Sequence, residues 1–372
     1  MSRSRRLVRG LVRGALVVAV IWITGEVVAR SLNLVDRLNG FPRRLYVATD
    51  EPDLGYELRP GVDTIARGVR VTVNELGMRG PSVSGERAPG TRRVLVLGDS
   101  VAFGFRLEWD DTFGARLEHE LEARSGAPYE VLNGGVEGYN TQNQLAWLRK
   151  RIDALRPDVV VLLFNLNDYD FGPVMGPLGI LTLDQTQRVR RFSLANVSEF
   201  YLLVRWLVAT RGSLWVGDAV GPTPQPGATA ERFDPFDRYV SALRKQYYRK
   251  PNDGRWQVML DSLRALRDLA RERGIDLVVA IIPDGDQVGV PSPDLGPQQR
   301  LREVCAELEL DCLDLRPAFE ATGGELFMDI MHPNAAGHRI MAREVAEHLL
   351  RRPSRAPAQP KTPTLEIGEP PR

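Results

Sequence analysis

Four short polar stretches hold the residue types that acyl transfer requires. They are Gly98-Asp99-Ser100, "NGGVEGYNT" (133–141), "NLND" (165–168) and "MDIMHPNAAGH" (328–338). Each motif alone is weak, whereas the combination and its order are specific. A hydroxyl nucleophile needs a base, the base needs an orienting group, and the developing oxyanion needs fixed donors. Ser100 supplies the hydroxyl. His332 can take its proton, because an imidazole titrates near neutral pH. Asp329, three residues earlier, can hold the other ring nitrogen. The backbone N–H groups of Ser100 and Gly138, with the side-chain amide of Asn167, can form an oxyanion hole. Each such donor is worth about 3–4 kcal/mol of transition-state stabilisation.

The elements that must position these residues are legible in the hydropathy pattern. "RRVLVLGD" reads as an apolar strand ending at Ser100, and Phe113, Leu117 and Leu121 share one face of the helix that follows. Asp110 or Asp111 is the expected cap of that helix. "YEVLNGG" is the next strand, and Leu145, Leu148, Ile152 and Leu155 form the next helical stripe. "PDVVVLLFNLND" (157–168) is apolar almost throughout, as a strand covered on both faces must be. A helix over Met259 to Arg273, the strand "IDLVVAIIPD", a helix over Gln298 to Leu308, the strand "DCLDL" and a final helix from about Asn334 to Leu350 complete the alternation. That alternation predicts a parallel sheet between two helical layers, with sites at the carboxyl ends of its strands. Asp99 is expected to orient its turn rather than react. His119 reads as a solvated side chain, and His338 and His348 as structural or surface residues.

The four blocks, in this order, resemble the SGNH, or GDSL, hydrolase superfamily over about residues 92–350. Ser100 stands in "GDS", Gly138 in "GGVEGYNT", Asn167 in "NLND", and Asp329 with His332 in "DIMHPNAAGH". The resemblance implies a flavodoxin-like, three-layer α/β/α sandwich. It also implies a serine esterase that acts on O-acyl esters, preferably O-acetyl and carbohydrate-linked, without a cofactor. One departure is Asn165, which stands where the family's third block has glycine; its bulk would tighten the oxyanion hole or alter which substrates fit. The chain has no Gly-x-Ser-x-Gly elbow of the α/β-hydrolase kind. An O-acyltransferase or accessory protein of envelope polysaccharide modification would share the same first half-reaction. A non-catalytic glycan-binding protein is a further alternative.

At 372 residues and net charge +1, from 49 basic and 48 acidic side chains, the chain offers no field for nucleic acid. Arg3, Arg5, Arg6, Arg9 and Arg13 precede an uncharged run from Gly14 to Gly25. That order favours a cytoplasmic N-terminus and an extracytoplasmic body, periplasmic or at the cell surface. Residues 1–30 therefore read as a transmembrane signal-anchor or a signal peptide. A cleavage site would follow Val27 and Ala29, and the uncharged run alone would span only about 18 Å. Residues 31–91 form a β-rich leader of hairpins without a titratable pair that resembles chemistry. Residues 92–351 form the hydrolase domain, with a helical insertion at about 170–255 that either shapes a substrate pocket or completes the core. Residues 352–372 are a Pro-rich disordered tail. Cys305 and Cys312, the two cysteines, either bridge in an oxidising compartment or stay as buried thiols. No histidine stands at ligand spacing from them, so no metal site is expected.

Overall fold

The computed structural model describes residues 3–32, 34–35, 42–51, 53–83, 87–170, 174–175, 181–182, 198–209, 233, 235–251 and 253–352. Helix α1 (Arg3–Ser31) continues past the uncharged run at both ends. Its Arg9–Ser31 stretch is 23 residues long, and an 18-residue window within it has a mean hydropathy of 1.9 and no buried residue. At 1.5 Å per residue it is about 34 Å long, which exceeds a bilayer core of about 30 Å. The uncharged run by itself accounts for about 18 Å of this length. Arg13 and Glu26 do not break the helix.

The leader forms two antiparallel pairs. β1 (Tyr46–Ala48) pairs with β2 (Tyr56–Leu58), and β3 (Asp63–Ala66) with β4 (Val69–Thr72). After it come β5 (Arg92–Leu97), the four-residue helix α2 (Ser100–Phe103), α3 (Phe113–Ser125), β6 (Tyr129–Asn133), α4 (Thr141–Leu155) and β7 (Val159–Phe164). The insertion holds the short pair β8 (Val174–Met175) and β9 (Leu181–Thr182), then α5 (Glu199–Ala209) and α6 (Pro235–Arg249). α7 (Arg255–Arg273), β10 (Asp276–Ile281), α8 (Gly296–Glu307), β11 (Asp311–Asp314), α9 (Arg316–Thr322) and α10 (Ala335–Leu350) complete the domain.

The five-stranded sheet has the order β11-β10-β7-β5-β6, and every pairing is parallel. In chain order this is 2-1-3-4-5, the doubly wound arrangement whose sites lie beyond the carboxyl ends of the strands. Alternate residues of one strand enter opposite cores. Leu95 and Leu97 of β5 join Leu145, Leu148, Ile152 and Leu155 of α4 and Leu263 and Leu266 of α7 on one side. Val94 and Val96 join Phe113, Leu117 and Leu121 of α3 and Met341 and Val345 of α10 on the other. Strands buried on both faces cannot alternate polar and apolar residues, which explains the continuous run 159–164. The leader packs on the α4 side through Leu45, Tyr46, Tyr56 and Leu58.

Two local readings change. α3 is capped by Thr112, whose hydroxyl accepts from the Ala115 N–H at 3.4 Å. Asp110 and Asp111 belong to a preceding 3₁₀ turn, and Asp111 pairs with Arg116 at 2.7 Å. The two longer helices of the insertion pack in different places. α5 meets the first helix: Glu26 accepts from the Ser198 hydroxyl at 2.8 Å and from the Glu199 and Phe200 N–H groups at 3.1 and 3.0 Å. α6 packs against α8 and sends Arg244 to the buried Asp284 at 3.2 Å. The loop at 221–230 and residues 353–372 of the tail lie outside the described residues. Cys305 and Cys312 are bonded to each other, joining the end of α8 to the start of β11.

Candidate active site

Gly98 directly follows β5 with φ +153°, where side chains are strained, and a Cβ there would stand 2.7 Å from Ala102 Cβ and 3.0 Å from the Leu163 carbonyl. The chain can turn off the sheet at this point only without a side chain. Asp99 then caps α2, accepting from the Val101 N–H at 2.9 Å. It is fully buried, and burial pushes its carboxyl above the ordinary range. Asp99 thus holds the turn, and Ser100 begins the helix partly exposed.

The facing loop lies between α9 and α10. Asn334 closes it by capping α10, accepting from the Ala336 and Gly337 N–H groups at 2.9 and 3.1 Å. Asp329 Oδ1 accepts from the N–H groups of Met331 and His332, both at 2.9 Å, so the carboxylate is fixed by its own turn. His332 Nδ1 lies 2.9 and 2.7 Å from the two Asp329 oxygens. His332 Nε2 stands 2.8 Å from Ser100 Oγ. Burial lowers the imidazole's affinity for a proton, but the charge and hydrogen bond of Asp329 outweigh it, so its pKa lies above 6.5. Burial likewise opposes ionisation of Asp329, yet His332 and the backbone donors bring its pKa down to about 2. The phenyl ring of Phe105 backs the imidazole, with centroids 4.2 Å apart and planes inclined by 22°.

Gly138 and Asn167 occupy the loops after β6 and β7. The Val136 N–H donates to the Gly98 carbonyl at 3.2 Å, and Asn133 Nδ2 to the Ala102 carbonyl at 2.8 Å. A Cβ on Gly135 would stand 2.4 Å from the Phe103 nitrogen, so that loop lies against α2. The Thr141 N–H donates to the Asp168 carbonyl at 3.2 Å, which ties the Gly138 loop to the Asn167 loop. The Asn167 side chain lies against the Asp99 carboxyl. Asn165 is buried, its carbonyl accepts from the Asp168 N–H at 3.0 Å, and its amide nitrogen has no partner among the described residues. Burial pushes the Asp168 carboxyl well up, and the neighbouring Asp99 adds to this.

The structure therefore brings Ser100, His332 and Asp329 into one hydrogen-bonded chain and sets the loops of Gly138 and Asn167 beside it. The other histidines are not members of this hydrogen-bonded chain. His119 is exposed, His338 is buried in α10, and His348 faces Asp311 at 3.0 Å. Three residues at the site were not read from the sequence: Phe105, Glu137 and Arg67. Glu137 had a signal, since a carboxylate in a Gly-rich turn after an apolar strand needs a partner. Arg67 had none, because its contacts span 70 positions. Among the described residues no group of His, Cys, Asp and Glu could hold a metal ion.

Residues 96–340 match the family model of the GDSL-like lipase/acylhydrolase family. An arylesterase of Vibrio mimicus is 32% identical over 78 residues, which are 21% of this chain. The chain spans 38% of that enzyme's length. A carbohydrate acetylesterase from Sinorhizobium meliloti has 11% identity and a TM-score of 0.38, with 70% of this chain and 99% of that one covered. An acetyl-xylooligosaccharide esterase from Geobacillus has 16% identity and a TM-score of 0.35, with 69% and 93% covered.

Proposed function

Because the chain belongs to the GDSL-like lipase/acylhydrolase family, whose members cleave ester bonds, we propose that it is a serine esterase acting on O-acyl, preferably O-acetyl, esters through an acyl-Ser100 intermediate. The observation that carries this reading is the continuous path from Ser100 Oγ through His332 to Asp329, with contacts of 2.8 and 2.7 Å.

His332 Nε2 accepts the Ser100 proton as Oγ attacks the acyl carbon, and Asp329 stabilises the imidazolium that forms. The carbonyl oxygen takes up negative charge, for which the N–H groups of Ser100 and Gly138 and the Asn167 amide are the donors. Collapse expels the alcohol, which receives the proton from His332. Water then repeats the sequence on the acyl-enzyme and returns Ser100 with a carboxylic acid. The apolar length of α1 and the five arginines near its start support a body tethered to a membrane and facing away from the cytoplasm.

The test is covalent labelling of the full chain. A fluorophosphonate should label wild-type protein and fail to label Ser100→Ala. Equal labelling of the two would overturn the assignment.

A further inference from the structure

The leader was expected to hold no chemistry, yet it enters the site. Arg67 and Gly68 form the two-residue turn between Ala66 and Val69, which pair with each other, and both have positive φ, +51° and +85°. Such turns suit the twist of a hairpin, but an arginine at the first position is strained. The strained residue is held by what its side chain meets. Arg67 Nη1 stands 2.5 Å from Glu137 Oε1, with the two side chains 13% and 2% exposed. Its guanidinium lies 4.7 Å from the centre of the Phe105 ring, the same ring that backs His332. Glu137 precedes Gly138 and is also held by the leader's Tyr46 hydroxyl, while its carbonyl accepts from the Tyr56 hydroxyl at 2.7 Å.

We propose that Arg67 is a positioning residue of the ester-cleaving site: the leader hairpin braces Glu137, beside the oxyanion glycine, and Phe105, behind the imidazole, with one guanidinium. This inference rests on the esterase reading. A planar, charged fork suits both tasks, since it meets a carboxylate edge-on and an aromatic ring face-on. The pair also contributes to the charges around His332. Those facing it are Asp329 on its own loop, Asp99 after β5, Glu137 after β6, and Arg67 and Arg106 across Phe105. His338 on α10 and Arg244 of α6, whose Nη2 reaches Met331 Sδ at 2.8 Å, complete the set.

The experiment uses full-length protein in detergent, with kcat and KM measured on p-nitrophenyl acetate and the His332 ring titrated by NMR of histidine-labelled protein. Arg67→Gln should move the His332 titration up and Glu137→Gln should move it down, with the double variant near wild type. Arg67→Gln should also lower kcat about tenfold or more with KM within about twofold, since small misplacements cost that much or more. Arg67→Lys keeps the charge but not the fork, so its titration should match wild type while kcat falls. Single substitutions that both leave the His332 titration in place, or move it the same way, overturn the proposal. So does a wild-type kcat in Arg67→Lys, which covers the case of an Arg67→Gln protein that does not fold. A wild type without turnover whose titrations shift as stated would overturn the esterase reading and leave the placement of Arg67 intact.

Discussion

Asp329 meets His332 three times: both carboxylate oxygens reach Nδ1, and Oδ1 also takes the backbone N–H of His332. Asp329 is thus the side chain that bears most directly on both the ring's orientation and its charge. Asp329→Asn keeps the shape but can present an amide to Nδ1, which favours the wrong tautomer. The expected result is a loss of about 10³–10⁴ in kcat with KM little changed, by analogy with the same change in other triads. Steady-state kinetics on a small acyl ester check it, and a loss below tenfold would remove Asp329 from the role.

The pH dependence follows from the same pair. His332 must be neutral to accept the Ser100 proton, and its pKa is raised above 6.5. Activity should therefore climb with pH through a value above 6.5, whereas Asp329, brought down to about 2, stays ionised throughout. Stability has the opposite sign. The raised imidazole stabilises the fold fully below about 6.5, its unfolded value, and loses that contribution as pH rises through its folded value. The Asp329 contribution is present above about 3.9, the unfolded value, and is lost as pH falls through about 2. In Asp329→Asn the acid limb of kcat/KM should move to lower pH. A limb centred at or below 6.5 in the wild type would contradict this account.

The Cys305–Cys312 bridge closes a loop of seven positions between α8 and β11. In the chain-entropy model a loop this short is worth about 2.5 kcal/mol. Denatured, unreduced protein should show no titratable thiol, and reduction should lower the unfolding free energy by about that amount. Denaturant unfolding with and without reductant measures the difference.

Much of the fold was legible because burial on both faces leaves a plain trace. The run Val159–Phe164 has no polar position, and a strand between two helical layers permits none. The polar blocks were visible because they interrupt such runs where a parallel sheet exposes its carboxyl ends. Helix α6, with the sequence PFDRYVSALRKQYYR, escaped notice because arginine, lysine and tyrosine obscure its apolar stripe. Its Lys245 is nonetheless buried against Asp286, a pairing that no local pattern reveals. The cap of α3 was misplaced by one or two residues because aspartate and threonine both suit the position, and the 3₁₀ turn before it decides between them. Arg67 was invisible for a different reason: a hairpin tip declares its turn but not its target.

Glu26 lies near the end of the apolar helix and caps α5, while Trp22 meets Phe200 edge-on at 5.6 Å. A protein trimmed after Ser31 would lose more than the proposed tether. The first turn of α5 would be left with donors that no longer have an acceptor, and Arg43 would hold Glu199, at 2.8 Å, without the helix that organises it. The helix that we propose as a membrane tether is therefore also part of the scaffold, and its removal and the loosening of the insertion would be a single event.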